Sequence, residues 1–541
     1  MSITPAVLLV GLAQGLLLWF LHHAVAGGVW PAAGPGLWPI FYLVVLLLPP
    51  TLLLLWEQRT RRTLQFLLGG MALFLASSAR ALLGELPVPG TGQEPDEVVV
   101  LGYLLPLAAA WLLAVPLWRA SLEGGRWPPA YAELFRVASR SYLTLLESAA
   151  VILLFWGLIG LWSALFLTLG IELFRDLFTH PGFVYPATCV VFAAAVRLVA
   201  GSDRLLDGLL DQLLGLLKWL APLALVILVA FVAALVPRLP ALLASGERVM
   251  DSHWLLCLVV AMVLLLNAAF RDGESGPGYG RWLAQILRLA PPLMLVVALT
   301  ATYSLIVRST AFGLTPPRFW GLAIAGLAVL SSVGYSYASW RRGPWMGELR
   351  RVNLWLVLVA LAVLLLSLTP AGDPLRWSIV DQRARALAAR TPEARQGPLE
   401  FLRFDAGEDG RRVIAELARA AIQGAPAALQ AEAVAMASLQ GRGARPALSP
   451  EVLQAEVVRW REKLQLLPGG TPVPGRFSAS LDQALASLVS QAGAGEKLPS
   501  LLLVLADTDG DGLEDGLLIV GPRSEGAVQT TRYLPLVPRD D

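Results

Sequence analysis

Stretches of about twenty apolar residues, the length an α-helix needs to cross the hydrocarbon of a bilayer, recur all along the first two thirds of this chain. Eleven such runs stand at 3–26, 37–56, 63–84, 98–118, 145–170, 182–200, 215–236, 253–270, 289–307, 319–337 and 352–368. With 56% hydrophobic and only 15% charged residues, the chain reads as a polytopic α-helical membrane bundle of about 11 spans. From 371 onward Arg, Glu, Asp, Gln and Gly become frequent and no spanning run occurs. Two domains are therefore expected: a transmembrane helical domain over 1–370 and a soluble α/β domain over 371–541. The run 3–26 lacks a basic leader and is too long for a cleaved signal, so it is read as the first span.

The basic residues are shared unequally between alternate loops. If the N-terminus is cytoplasmic, the inner loops carry Arg59, Arg61 and Arg62, then Arg119, Arg126, Arg136 and Arg140, then Arg204 and Lys218. They continue with Arg271, Arg281 and Arg288 and close with Arg341, Arg342, Arg350 and Arg351. The outer loops hold only Arg80, Arg175, Arg238, Arg248, Arg308 and Arg318. That bias satisfies the positive-inside rule along the whole chain. An odd number of spans then sends the C-terminal domain to the opposite face, which for a bacterial inner membrane is the periplasm. A formal charge of +2, carried in short loops, is not a phosphate-binding stripe, and no nucleic-acid partner is expected. Both cysteines, Cys189 and Cys257, fall in apolar runs, so no disulfide staples the polar domain.

Several polar residues stand where lipid makes them costly. In "IELFRDLFTHPGF" Glu172, Asp176 and His180 follow at steps of four, which one helix would carry on a single face. A carboxylate and imidazole group of this kind can hold a metal or a proton, although histidines at an interface are ordinary and no HxxxH or HExxH spacing occurs. Glu147 and Arg197 fall near the inner ends of their runs; they either pair, mark a polar path, or snorkel to the interface. Asn267 and Asn353 read as interhelical hydrogen-bond donors. Pro49 and Pro50 break the second run, which a membrane helix tolerates where neighbours satisfy the freed carbonyls. The segment 126–142 is too polar to span and reads either as an amphipathic helix at the inner interface or as a helix packed under the bundle. No Walker loop, GxSxG or Cys/His constellation is present.

Beyond 371 the pattern is mainly helical to about 491, then turns to short apolar runs at 501–505 and 517–520, with a third near 530–534. Between the first two lies "DTDGDGLED". Asp507, Asp509 and Asp511 take positions 1, 3 and 5 of a calcium loop, Gly512 gives the sharp turn, Leu513 offers its carbonyl at 7, and Asp515 falls at 9. Position 12 is Leu518, so the closing glutamate of an EF-hand is missing. The expectation is a structural Ca2+ bound between strands; the competing reading is a metal-free Asp/Gly-rich hairpin turn.

The phrases "LGIELFRDLFTHPGF", "LNAAFRDG", "GLTPPRFW", "DPLRWSIVDQRARAL" and "PLEFLRFDAGEDGRRVIAEL", with the closing "DTDGDG", together resemble the bacterial inner-membrane family of domain of unknown function 4153 over about 140–520. The resemblance implies a multi-pass protein with an extracytoplasmic C-terminal part and no established activity. Three functions are open on the sequence. One is a non-enzymatic envelope anchor whose outer domain binds a partner protein or polymer. The second is a transporter or channel with a polar path near Glu147, Arg197 and Glu172, and the third is an enzyme acting on a lipid-linked substrate. The last would need acidic residues early on the outer side, and "GGVWPAAGPG" has none.

Overall fold

The computed structural model describes residues 4–32, 38–79, 97–200, 203–240, 252–273, 278–341, 345–419, 427–439, 450–467, 473–492, 501–506, 515–521 and 532–536. The chain divides into two compact units, the first made of Met1–Arg385 with Ala406–Asp409 and the second of Ala386–Asp405 with Gly410–Asp541.

The first unit is helical. Its opening helices are α1 (Pro5–Gly27), α2 (Trp38–Leu54), α3 (Arg62–Ser78), α4 (Glu97–Gly124) and α5 (Tyr131–Thr168). The short α6 (Leu173–Thr179) leads to α7 (Pro181–Ala200), α8 (Asp203–Leu235) and α9 (Ser252–Phe270). Then follow α10 (Arg281–Ile286), α11 (Ala290–Phe312), α12 (Pro316–Trp340), α13 (Leu349–Ser367) and α14 (Pro374–Ala388). Among the described residues, nine helices are long and apolar enough to cross a membrane. The chain is thus an integral membrane protein built as a helical bundle. Of the remaining apolar runs, α2 and α3 each form a helix of 17 residues.

The amphipathic segment 126–142 is not a separate interfacial helix. Its residues from Tyr131 on are the first turns of a continuous α5 of 38 residues. At 1.5 Å per residue that helix is about 57 Å long, well beyond a hydrocarbon core of about 30 Å. Nothing in 139–148 breaks it, since no Gly or Pro occurs there. Its amphipathic start therefore runs straight into the span.

Two kinds of contact hold the bundle. The first is close backbone approach. A Cβ added to Gly11 would lie 2.7 Å from the Cys189 carbonyl oxygen, and one on Gly15 would lie 2.8 Å from the Tyr185 carbonyl oxygen. Those two glycines, one turn apart, let α1 press against α7. The second concerns proline. A helical Pro cannot donate to the carbonyl four residues before it, and in lipid no water replaces the donor. Pro49 frees Val45, and Gln14 Nε2 of α1 donates to the Val45 carbonyl at 3.1 Å. Pro116 frees Leu112, and the Tyr142 hydroxyl of α5 donates to it at 3.0 Å. Pro222 frees Lys218, and the Tyr279 hydroxyl donates there.

Arginines also join helix ends. Arg61 donates to the Leu122 carbonyl, which places the start of α3 beside the end of α4. Arg271 Nη1 meets Asp211 at 2.8 Å, joining the end of α9 to the first turns of α8.

The second unit carries α15 (Pro392–Phe404), α16 (Gly407–Ala418), α17 (Ala427–Ser438), α18 (Pro450–Glu462) and α19 (Gly475–Ala492). The first turn of α16 belongs to the first unit. Its four-stranded sheet runs β1 (Gln465–Leu467), β2 (Leu501–Ala506), β3 (Asp515–Val520) and β4 (Arg532–Leu536) in that order. β1 lies parallel to β2, and the other pairs are antiparallel. Alternate residues Leu501, Leu503, Leu505, Leu518 and Val520 form one core with Trp460 of α18 and Phe477, Leu481, Leu485 and Val489 of α19. Arg461 bridges Asp482 at 2.9 Å across the same two helices. Elsewhere in the unit buried Arg395 donates to Glu432 at 2.8 Å and to the Ala389 and Arg390 carbonyls, tying α15 to α17.

The proline contacts make a direct prediction. Tyr142→Phe leaves the Leu112 carbonyl without a donor and lowers bundle stability by about 0.5–1.5 kcal/mol. In a Pro116→Ala background the helix supplies its own N–H, and the same substitution has no measurable effect on thermal unfolding in detergent.

Candidate functional site

One group of polar residues in the bundle forms a closed assembly. Asn267 near the end of α9, Tyr335 near the end of α12 and Asn353 near the start of α13 form a closed ring. Asn267 Nδ2 donates to the Tyr335 hydroxyl at 2.7 Å, Tyr335 donates to Asn353 Oδ1 at 2.6 Å, and Asn353 Nδ2 donates back to Asn267 Oδ1 at 2.6 Å. The remaining amide N–H groups reach the Val263 carbonyl at 2.9 Å and the Tyr131 hydroxyl of α5 at 3.1 Å. Both asparagines thereby use every N–H and their oxygen within the protein. Around the ring lie Leu266, Phe270, Met346 and Leu349 of the main apolar core. The ring is neutral and fully occupied, so it locks the ends of α5, α9, α12 and α13 together. Both asparagines act between helices, as their setting in apolar runs implies. Tyr131 and Tyr335 carry no such signal, because a tyrosine near a helix end reads equally well as an interface anchor.

A second polar assembly stands at the turn between α11 and α12, in the "GLTPPRFW" segment. Gly313 there has φ +79°, a conformation that favours glycine. A Cβ on it would meet Arg385 Cδ at 2.8 Å. Asp381 Oδ2 accepts from the Leu314 N–H at 2.6 Å, and Gln382 Nε2 donates to the Leu314 carbonyl at 3.0 Å. Arg385 donates to the Thr310 and Ser309 carbonyls at 3.0 and 3.2 Å while paired with Asp381 at 2.9 Å. Arg318 Nη1 donates to the Phe312 carbonyl at 2.9 Å. These groups cap the last carbonyls of α11, which would otherwise be orphaned, and they fix α14 against the turn. Two of the phrases singled out in the sequence are therefore in direct contact.

The ionisable residues do not form one site. Trp156 Nε1 donates to Thr188 Oγ1 at 3.2 Å, which sets the register of antiparallel α5 and α7. Equal steps from that pair bring Glu147 and Arg197 to one depth. About two and a half turns of helix separate each from it. Arg197 is buried. Glu147 Oε1 is buried and accepts no hydrogen bond, as are Ser141 Oγ and Ser148 Oγ on the same helix.

At the far end of that hairpin, α6 is only seven residues long. Glu172 is its N-cap and His180 its C-cap, so only Asp176 of the three lies within the helix. Arg175 meets Glu172 at 3.3 Å and Asp176 at 3.4 Å, all exposed, and His180 Nδ1 accepts from the Gly182 N–H at 3.1 Å. The anchoring of α6 is aromatic: Phe174 and Phe178 pack against Trp162, Phe166 and Phe183, with centroids as close as 4.5 Å. Among the described residues no three His, Cys, Asp or Glu side chains are grouped to hold a metal.

Of the aspartate loop, Asp507, Asp509, Asp511 and Leu513 lie outside the described residues. Asp515 opens β3 and pairs with Ala506 of β2, so the two ends of the segment 507–514 stand side by side on neighbouring strands. Comparison with family models, with curated proteins and with solved structures finds no match to this chain.

Two outcomes test the assemblies. Asn353→Leu removes the centre of the ring and lowers stability by about 1–3 kcal/mol. Combined with Tyr335→Phe the loss falls well short of the sum, because the two share one hydrogen bond. Asp373, at the start of α14, is held above the ordinary carboxylate range by burial, against the opposing pull of the Leu375 and Arg376 N–H groups. The folded state thus binds this proton more tightly than the unfolded chain, and stability falls as pH rises through the folded value. Asp373→Asn, which keeps the hydrogen bond to Leu375, stabilises the protein at pH 7. That gain vanishes in acid below the ordinary carboxylate range, as read by unfolding temperature across pH.

Proposed function

We propose that this protein is a non-enzymatic anchor of a bacterial envelope. In this reading the helical unit crosses the inner membrane with about 11 spans and its arginine-rich end in the cytoplasm. The second unit is an α/β domain in the periplasm that binds an envelope protein or polymer. The observation that carries the reading is the fixing of α14. The chain leaves its last span through a helix hydrogen-bonded at several points to the α11–α12 turn, and continues from it into a unit with a core of its own. A tether that transmits force needs that continuity.

Binding by the second unit is supported by its sheet. Leu502, Val504, Leu517 and Ile519 alternate with the core residues and are half-buried, so the sheet is apolar on both faces while α18 and α19 pack on one. Such a pattern belongs to sheets covered on both sides. The resemblance to the domain of unknown function 4153 family supports the same arrangement. We also assign a structural Ca2+ to Asp507, Asp509, Asp511, the Leu513 carbonyl and Asp515, on the strength of their spacing and the hairpin that brackets them.

A transporter is the second reading, favoured by the unpartnered Glu147 oxygen at depth in α5. Glu147→Gln would then abolish flux in proteoliposomes; under the anchor reading there is no flux to abolish.

A reporter fused after Asp541 is expected to be active in the periplasm only, and cytoplasmic activity overturns the anchor. Millimolar Ca2+ is expected to raise the unfolding temperature of the second unit's transition, with an apparent Kd of about 10⁻⁴ to 10⁻³ M. Asp509→Asn with Asp511→Asn abolishes that rise.

A further inference from the structure

Beside Pro49 of α2 an open cleft of about 330 Å³ lies between α1, α2 and α3, walled by Ala13, Gln14 and Leu17, by Val44 and Leu48, and by Leu68. Gln14 is the one side chain there with polar atoms. It uses its N–H on the Val45 carbonyl, and its Oε1 is covered, so the surface it turns to the cleft is apolar. Water has too few partners to settle in such a space. The cleft is open to its surroundings, so lipid chains can reach it from the bilayer.

Two of its walls are tied to their neighbours. α1 is pressed to α7 at Gly11 and Gly15. α2 is tied to α1 through Gln14 and to α4 through Trp111 Nε1, which donates to Thr51 Oγ1 at 2.8 Å. Gln14 lies about 14 Å along α1 from Pro5, near the middle of a 23-residue helix. At that depth the surrounding medium is the middle of lipid chains.

We propose that one phospholipid acyl chain is bound in this cleft as a fixed component of the protein, distinct from the exchanging lipid around it. Its partner is the chain and not the headgroup. Pro49 and the Gln14 hydrogen bond both stand at the site.

Photolabelling in proteoliposomes tests this, with phosphatidylcholine carrying a diazirine at mid-chain. Adducts are expected in the peptides covering residues 10–17 and 44–52 at no less than fivefold the yield on the exposed outer leucines of α5, Leu153, Leu154 and Leu158. In Ala13→Phe, which fills the cleft, that excess is expected to fall to the α5 level while α5 labelling is unchanged, which also reports that the bundle has folded. Val44→Phe serves where Ala13→Phe does not insert. Even labelling of all lipid-facing helices in the parent protein, or an excess that survives both filled variants, overturns the proposal.

Discussion

A carbonyl released inside a bilayer has no water to turn to, and much of the arrangement of this bundle follows from that. Proline in α2, α4 and α8 frees carbonyls at membrane depth, and for Val45, Leu112 and Lys218 a side chain from elsewhere in the unit takes the place of the missing N–H. Each such bond ties a kink to a neighbour. The kinks are therefore junctions between helices and not points of slack. The same rule accounts for the α11–α12 turn, where Gln382 and Arg385 of α14 and one arginine of α12 cap carbonyls at the end of α11.

The two ends of the bundle are built differently. At the arginine-rich end a neutral ring of amides and hydroxyls joins four helices, and ion pairs such as Arg271 with Asp211 lie outside it. At the other end aromatic rings hold α6 in place, where the charged groups of α6 are exposed, and a half-buried Arg385–Asp381 pair braces the α11–α12 turn. A buried charge would carry a desolvation cost of several kcal/mol that a neutral ring avoids, so polarity inside the bundle is confined mostly to amides and hydroxyls. Among the described residues, Arg197 and the buried Oε1 of Glu147 depart from this.

What could be read from the sequence follows the strength of each signal. Spanning runs and arginine bias are sums over many residues, and the membrane class emerged from them directly. Asn267 and Asn353 stood out because amides are rare among leucines. Their tyrosine partners did not, since Tyr has an apolar body and a polar tip and fits several roles. The start of α5 was misjudged because polarity marks where a helix leaves lipid, not where it ends; only a helix breaker does that. The face expected of Glu172, Asp176 and His180 assumed one helix, and α6 is too short to contain all three. In the second unit the alternation of 501–505 and 517–520 revealed the hairpin. β1 was invisible: three residues long, it carries no period, and it joins the sheet by a parallel pairing with a distant segment.

These constraints also decide which motions the bundle can make. An alternating-access cycle would have to separate helices at both ends in turn. At the ring end, separation breaks three hydrogen bonds among Asn267, Tyr335 and Asn353 together with the one to Tyr131, and nothing in lipid replaces them. The α1–α2 side is held as well, α1 against α7 at Gly11 and Gly15, and α2 to α1 and α4 through Gln14 and Trp111. Each of these bonds joins helices that such a cycle would have to part, and Glu147, on α5, belongs to a helix held by the ring through Tyr131.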